Sequence, residues 1–160
     1  MPLPLLDAFV AGNATRAREL VDYSVPGDFP GTAAEVLELR RIQLAADPAR
    51  LPWSVRAMVR RDDRVMVGFV NFHGPPGAND IEATDAVELG WTVFPEHRRR
   101  GYATETARRL MDWAREEHGV RRFISSTTPD NVPSLRVHDK VGFRRTGQVV
   151  DGEIIFELAL

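Results

Sequence analysis

Three consecutive arginines, Arg98, Arg99 and Arg100, stand directly before Gly101 and a helix-like run, within PEHRRRGYATETARRLMDW from Pro95 to Trp113. A helix N-terminus already carries about half a positive charge, so cations are unfavourable there unless an anion sits among them. A polyphosphate at that corner gains the unpaired first N–H groups of the helix, its dipole and the arginines together. Gly101 lacks a side chain, which lets backbone approach phosphate closely, and Ala103 is small for the same reason. The competing reading is a solvated loop. Neither G-x-x-x-x-G-K-[ST] nor G-x-G-x-x-G is present, which removes the P-loop and the dinucleotide fingerprint. What remains is R-x-x-G-x-A, formed by Arg98, Gly101 and Ala103, after the strand-like ELGWTVFP.

This motif at a strand–helix junction resembles that of the GNAT family of N-acetyltransferases, where Q/R-x-x-G-x-G/A binds the pyrophosphate of acetyl-CoA. Its setting, ELGWTVFPEHRRRGYATE with Glu88, Gly90, Trp91 and Glu105, is similar to the ribosomal-protein N-acetyltransferase (RimJ/RimL-like) branch. A second family signature, N-x-x-S followed by K-x-G-F, is present as Asn131, Ser134, Lys140, Gly142 and Phe143. The resemblance covers about Val87 to Arg145 and weakens towards the N-terminus.

The resemblance implies a pair of central parallel strands that splay apart, with pantetheine inserted between them. It places the pantetheine amides on the backbone of Thr92, Val93 and Phe94, and the pyrophosphate beside Arg98. The backbone of Arg99, Arg100, Gly101, Tyr102, Ala103 and Thr104 holds that pyrophosphate. Asn131 is expected to contact the pantetheine arm or to order the second half of the tunnel. Ser134, one helical turn on, faces the same thioester.

The implied chemistry is direct attack of a primary amine on the acetyl thioester, with no acyl-enzyme. An alkyl amine is mostly protonated at neutral pH and must lose a proton first, so a carboxylate nearby suits the reaction. Glu88 is the expected base; its structural alternative is a salt-bridge partner. His138 stands where many family members carry tyrosine, and an imidazole of ordinary pKa near 6.5 can protonate the leaving thiolate. Ser134 is the competing donor. The acceptor is a protein N-terminus or a small-molecule amine. The rival from another class is a non-catalytic acyl-CoA-binding or sensing domain on the same fold.

These residues need a scaffold. Pro4 to Ala11 is expected as an edge strand. Asn13 offers an N-cap for a helix through about Tyr23, and Thr32 to Glu35 has capping-box spacing for a helix ending at Asp47-Pro48. Trp53–Arg61 and Arg64–Gly74 read as a hairpin. Asp85–Val93 alternates, with Val87, Leu89, Trp91 and Val93 on one face and Glu88 on the other. A helix from about Gly101 to Glu117 carries Ala103, Ala107, Leu110, Met111 and Ala114 as its buried stripe. A strand at Arg121–Thr127, a short helix within Asn131–Phe143 and two strands around Asp151-Gly152 complete it. The order βααβββαβαββ describes an α/β fold, a mixed sheet with helices on both faces. Phe29, Trp53 and Phe72 fall in segments expected near the acceptor cleft.

The bulk numbers fit one domain: 160 residues, 43% hydrophobic and 28% charged. A net charge of -2 gives no general attraction to nucleic acid or an anionic membrane. With no cysteine there is no disulfide, thiolate metal site or cysteine nucleophile. His73 and His97 have no partner spacing for a metal, and both read as surface residues, so no metal is expected. The N-terminal stretch lacks the pattern of a signal peptide, so a cytoplasmic protein, monomeric or homodimeric, is expected.

Overall fold

Leu5, Leu6, Ala8 and Phe9 are all buried. Their spacing is that of one helical face, not of a strand. The computed structural model, which describes residues 1–160, accordingly opens with helix α1, Leu3–Val10. The edge strand expected at Pro4 to Ala11 is thus corrected: Pro4 lies in the first helical turn, where its missing N–H is harmless.

Asn13 caps α2, Ala14–Glu19, its side-chain oxygen accepting from the Arg16 amide at 2.9 Å. That helix stops short of Tyr23. α3, Ala34–Ala46, follows a 3-10 turn at Gly31–Ala33. The expected capping box does not form. The turn already holds Ala33 in helical geometry (φ -84°, ψ -4°), and no side chain caps it. α1 lies against α3, and Arg41 pairs with Glu38 of its own helix and, at 3.7 Å, with Asp7 of α1. Asp47 ends α3, and its carboxylate accepts from the Ala49 amide at 3.0 Å to start the next turn.

Six strands follow: β1 Arg56–Val59, β2 Met66–Phe72, β3 Ala86–Val93, β4 Arg122–Thr127, β5 Arg144–Val150 and β6 Glu153–Ala159. Their order in the sheet is β1-β2-β3-β4-β6-β5. β3 and β4 are parallel, whereas β4–β6 and β5–β6 are antiparallel, which makes the sheet mixed. From β1 onward the element order is the expected one. β2 is buried along its whole length, as an inner strand must be. The chain divides into two units, Met1–Phe69 and Val70–Leu160, at a boundary inside β2.

In the second unit, α4 (Tyr102–His118) joins β3 to β4 and buries Ala107, Leu110, Met111 and Ala114. Ala103, expected in the same stripe, is half-buried. α5 (Val132–Val141) follows β4 and ends at Gly142, whose φ of 106° only glycine adopts cheaply. Phe72 packs 6.1 Å from Trp113 and is fully enclosed, and Trp53 is buried too. These two aromatics are core residues; full burial of each contributes about 2–3 kcal/mol. No helix is long and apolar enough to cross a membrane.

Candidate active site

β3 and β4 share a register at three positions: Ala86 with Arg122, Val87 with Phe123, and Glu88 with Ile124. Both strands then run on, to Val93 and Thr127, without a common ladder. Two extended backbones that stop pairing leave donors and acceptors along their facing edges. An extended, amide-bearing arm is the shape that satisfies such edges. Thr92, Val93 and Phe94 lie on the β3 side of this opening and are half-buried.

Beyond β3 the chain turns into α4 through an irregular corner. Arg98 folds back, its Nε donating to the Val93 carbonyl at 3.1 Å, so this arginine ties the loop to the strand end. Arg98, Arg99 and Arg100 are all exposed. Arg99 holds φ at +63°, a conformation that side chains other than glycine adopt at a cost. Gly101 follows at φ +88° as the N-cap of α4, which no side chain caps. A Cβ added at Gly101 would meet nothing within 4 Å. The corner is therefore a helix N-terminus without a side-chain cap, with nothing within 4 Å of a Cβ built at Gly101 and three exposed arginines directly before it in the chain. A diphosphate fits this donor set. Tyr102, Ala103 and Thr104 form the first turn and are half-buried.

At the last paired position sits Glu88, whose relative exposure is 0%. Its Oε2 accepts from the Asp80 amide at 2.8 Å and lies 3.5 Å from His73 Nδ1. Burial pushes the Glu88 carboxyl up, but His73, the Asp80 amide and Ser126 together outweigh it and hold the group below its ordinary value. Asp80 moves the other way, raised by burial and then by the Glu88 charge. His73, Asp80 and Glu88 bring one ligand atom each within 4.8 Å of one another. The reading of His73 as a plain surface residue is thus corrected. The backbone bond from the His73 amide to the Glu88 carbonyl, 2.8 Å, places it opposite Glu88. Sequence spacing carries no trace of this pairing; only a register between β2 and β3 reveals it.

His138 is fully buried, stacked on Phe156 at 4.1 Å and beside Trp91 at 4.9 Å. Its Nδ1 lies 2.9 Å from the Ser134 carbonyl and its Nε2 2.9 Å from Ser125 Oγ. A carbonyl only accepts, so Nδ1 carries the hydrogen and Nε2 accepts from the Ser125 hydroxyl. Burial lowers the ring to about 4, against weaker opposing effects of the Ser134 carbonyl and Asp139. The imidazolium expected here is therefore absent at neutral pH, and the one N–H of the ring is spent. Ser125 was missed because nothing in RFISST distinguishes it from a packing serine. Asn131 caps α5, its Oδ1 accepting from the Ser134 amide at 3.3 Å, which explains the N-x-x-S spacing as a helix start. Ser134 itself is half-buried in the first turn.

Residues 5–144 match the family model for the Acetyltransferase (GNAT) domain. The chain belongs to the GNAT acetyltransferase family. Among GNAT relatives, the uncharacterized N-acetyltransferase YjdG of Bacillus subtilis is 29% identical over 142 residues, 88% of this chain and 81% of that protein. The uncharacterized N-acetyltransferase YnaD of the same organism is 31% identical over 90 residues, 56% of this chain. The match spans about half the length of YnaD, 49%. The GNAT fold is shared with yncA from Salmonella typhimurium, solved with its cofactor acetyl-CoA. That likeness has a TM-score of 0.59 and 24% identity, over 78% of this chain and 73% of the other. The mixed six-stranded sheet and the β3–β4 opening are thus the family's architecture in this chain.

Proposed function

We propose that this chain transfers the acetyl group of acetyl-CoA to a primary amine by direct attack, with no acyl-enzyme. The observation that carries this reading is the opening between β3 and β4. An uncapped helix N-terminus, preceded in the chain by three exposed arginines, follows the end of β3, and Glu88, buried and facing the partly exposed His73, stands where the two strands part.

Bound acetyl-CoA supplies an activated thioester. The backbone amides of Arg99 to Thr104, with Arg98 beside them, would hold its diphosphate, and Thr92 to Phe94 its amide-bearing arm. The carboxylate–imidazole pair removes the proton that keeps an alkyl amine from attacking. Ser134 is the remaining side-chain donor for the sulfur, since the one N–H of His138 is held by the Ser134 carbonyl. Glu88 and Glu153 both act on Asp80 electrostatically, and this acidic surround suits a cationic acceptor. The acceptor is a protein N-terminus, as the RimJ/RimL-like motif suggests, or a small-molecule amine.

Calorimetry with coenzyme A and turnover of acetyl-CoA over peptides, polyamines and aminoglycosides test the reading together. Binding with acetylation of at least one amine is expected. Lack of coenzyme binding removes the diphosphate site; tight binding without turnover on any amine leaves a sensing domain instead.

A further inference from the structure

The geometry points to His73, not Glu88, as the group that takes the proton from the acceptor amine, with Glu88 as the positioning residue behind it. This rests on the acetyl-transfer reading and names the base within it. Glu88 is wholly enclosed, with Oε2 engaged by the Asp80 amide and His73 and Oε1 buried as well. An amine arriving from solvent does not reach either oxygen. The His73 side chain, by contrast, is 32% exposed.

The ring bridges the two environments. Nδ1 faces Glu88 at 3.5 Å. Nε2 lies over Gly90, where a built Cβ would stand 3.8 Å from it and 3.8 Å from Asn71 Oδ1. Gly90 shares a strand face with Glu88 and is the second residue past the point where β3 and β4 part. Nε2 is thus the nitrogen set beside the opening, and the missing side chain of Gly90 leaves room next to it. A carboxylate at Nδ1 fixes the hydrogen there, which leaves the lone pair on Nε2. Glu88 then stabilises the imidazolium formed, as a buried carboxylate does for a catalytic histidine. The groups facing the ring are Glu88 from β3 and Asp80 from the β2–β3 loop, and Glu153 of β6 acts in turn on Asp80.

The protons balance. The ammonium gives one proton to Nε2, which later passes it to solvent. The free amine forms the C–N bond as the C–S bond breaks with its electron pair on sulfur. The second amine proton ends on that sulfur.

The test uses the full chain with His73→Gln, Glu88→Gln and Gly90→Val. Nitrogen NMR reads the His73 tautomer, calorimetry reads coenzyme A affinity, and kcat/KM is followed against pH. In the wild type the neutral ring is expected with its hydrogen on Nδ1, and Glu88→Gln is expected to mix the tautomers. His73→Gln should lower kcat about 100-fold or more and erase the acidic limb of the profile. Glu88→Gln should keep that limb at a reduced kcat. Gly90→Val should cut turnover with coenzyme affinity within twofold of wild type. Wild-type kcat in His73→Gln, a hydrogen on Nε2, or loss of the limb in Glu88→Gln alone each overturns the assignment. If the tautomer is as expected but no amine is acetylated, the acetyl-transfer reading falls and the base role falls with it.

Discussion

The Nε2 atom of His138 lies 2.9 Å from the hydroxyl of Ser125, a contact that joins α5 to β4 in the interior. With the Ser134 carbonyl on Nδ1, both ring nitrogens are satisfied, so the histidine is a neutral structural node. Ser125→Ala removes one partner and leaves a buried acceptor unpaired, a loss of about 1–3 kcal/mol. Urea unfolding of the two proteins should show it as a lower midpoint at an unchanged slope; equal midpoints would mean the contact is not made.

The same ring makes stability depend on pH. In the fold it titrates at about 4, whereas the unfolded ring titrates near its ordinary 6.5. Between those values the unfolded chain holds a proton that the fold excludes. Stability is therefore greatest above 6.5, falls as pH drops through that window, and levels off below about 4. The whole change is on the order of 3 kcal/mol. Glu88, held below the ordinary carboxylate value of 4.5, loses its contribution as pH falls from that value through its lower folded one. Unfolding free energies from pH 7.5 to 4.5 should slope in the wild type and flatten in His138→Gln.

Glu88 anchors the loop that precedes β3 through the Asp80 amide. Glu88→Ala deprives that N–H of its acceptor and takes a charged partner from His73. The expected outcome is amide hydrogen exchange at Asp80 at least tenfold faster, with α4 amides unchanged. Uniform acceleration through the second unit would instead signal global unfolding.

Gly101 is required by its backbone angle, since a Cβ there would touch nothing. Gly101→Ala should therefore cost about 1–2 kcal/mol through strain alone. Gly101→Trp should add a second effect, abolishing coenzyme A binding by filling the space above the helix N-terminus. Calorimetry that finds wild-type affinity in the tryptophan variant would move the diphosphate elsewhere.

Asn131 tests whether one residue does two jobs. As a cap it is worth about 1 kcal/mol, so Asn131→Ala should lower the melting temperature, while Asn131→Asp should retain it. If the side chain only caps, coenzyme A affinity stays within about threefold in both variants once unfolding is accounted for.

Features whose causes lie within a few residues were legible in the chain itself. The Asn13 cap, the glycine stops at Gly119 and Gly142, and the Asp151-Gly152 turn with φ of 49° and 84° are set by local sterics and hydrogen bonds. The strand–arginine–glycine–helix corner is local in the same sense, so the diphosphate site could be proposed before any coordinates. The first helix was misread because an apolar run with an early proline also fits an edge strand, and burial of Leu5, Leu6, Ala8 and Phe9 on one face decided it. The chemistry around Glu88 and His138 was closed to sequence reasoning. Which imidazole meets Glu88 follows from how β2 lies along β3, and a one-residue slip would turn His73 to the other face. Whether His138 is charged follows from its enclosure by Phe156, Trp91 and Ser125, drawn from three strands remote from its own helix in the chain. Residue types and spacing therefore settled what each group is able to do, and the packing of distant segments settled which proton each one holds.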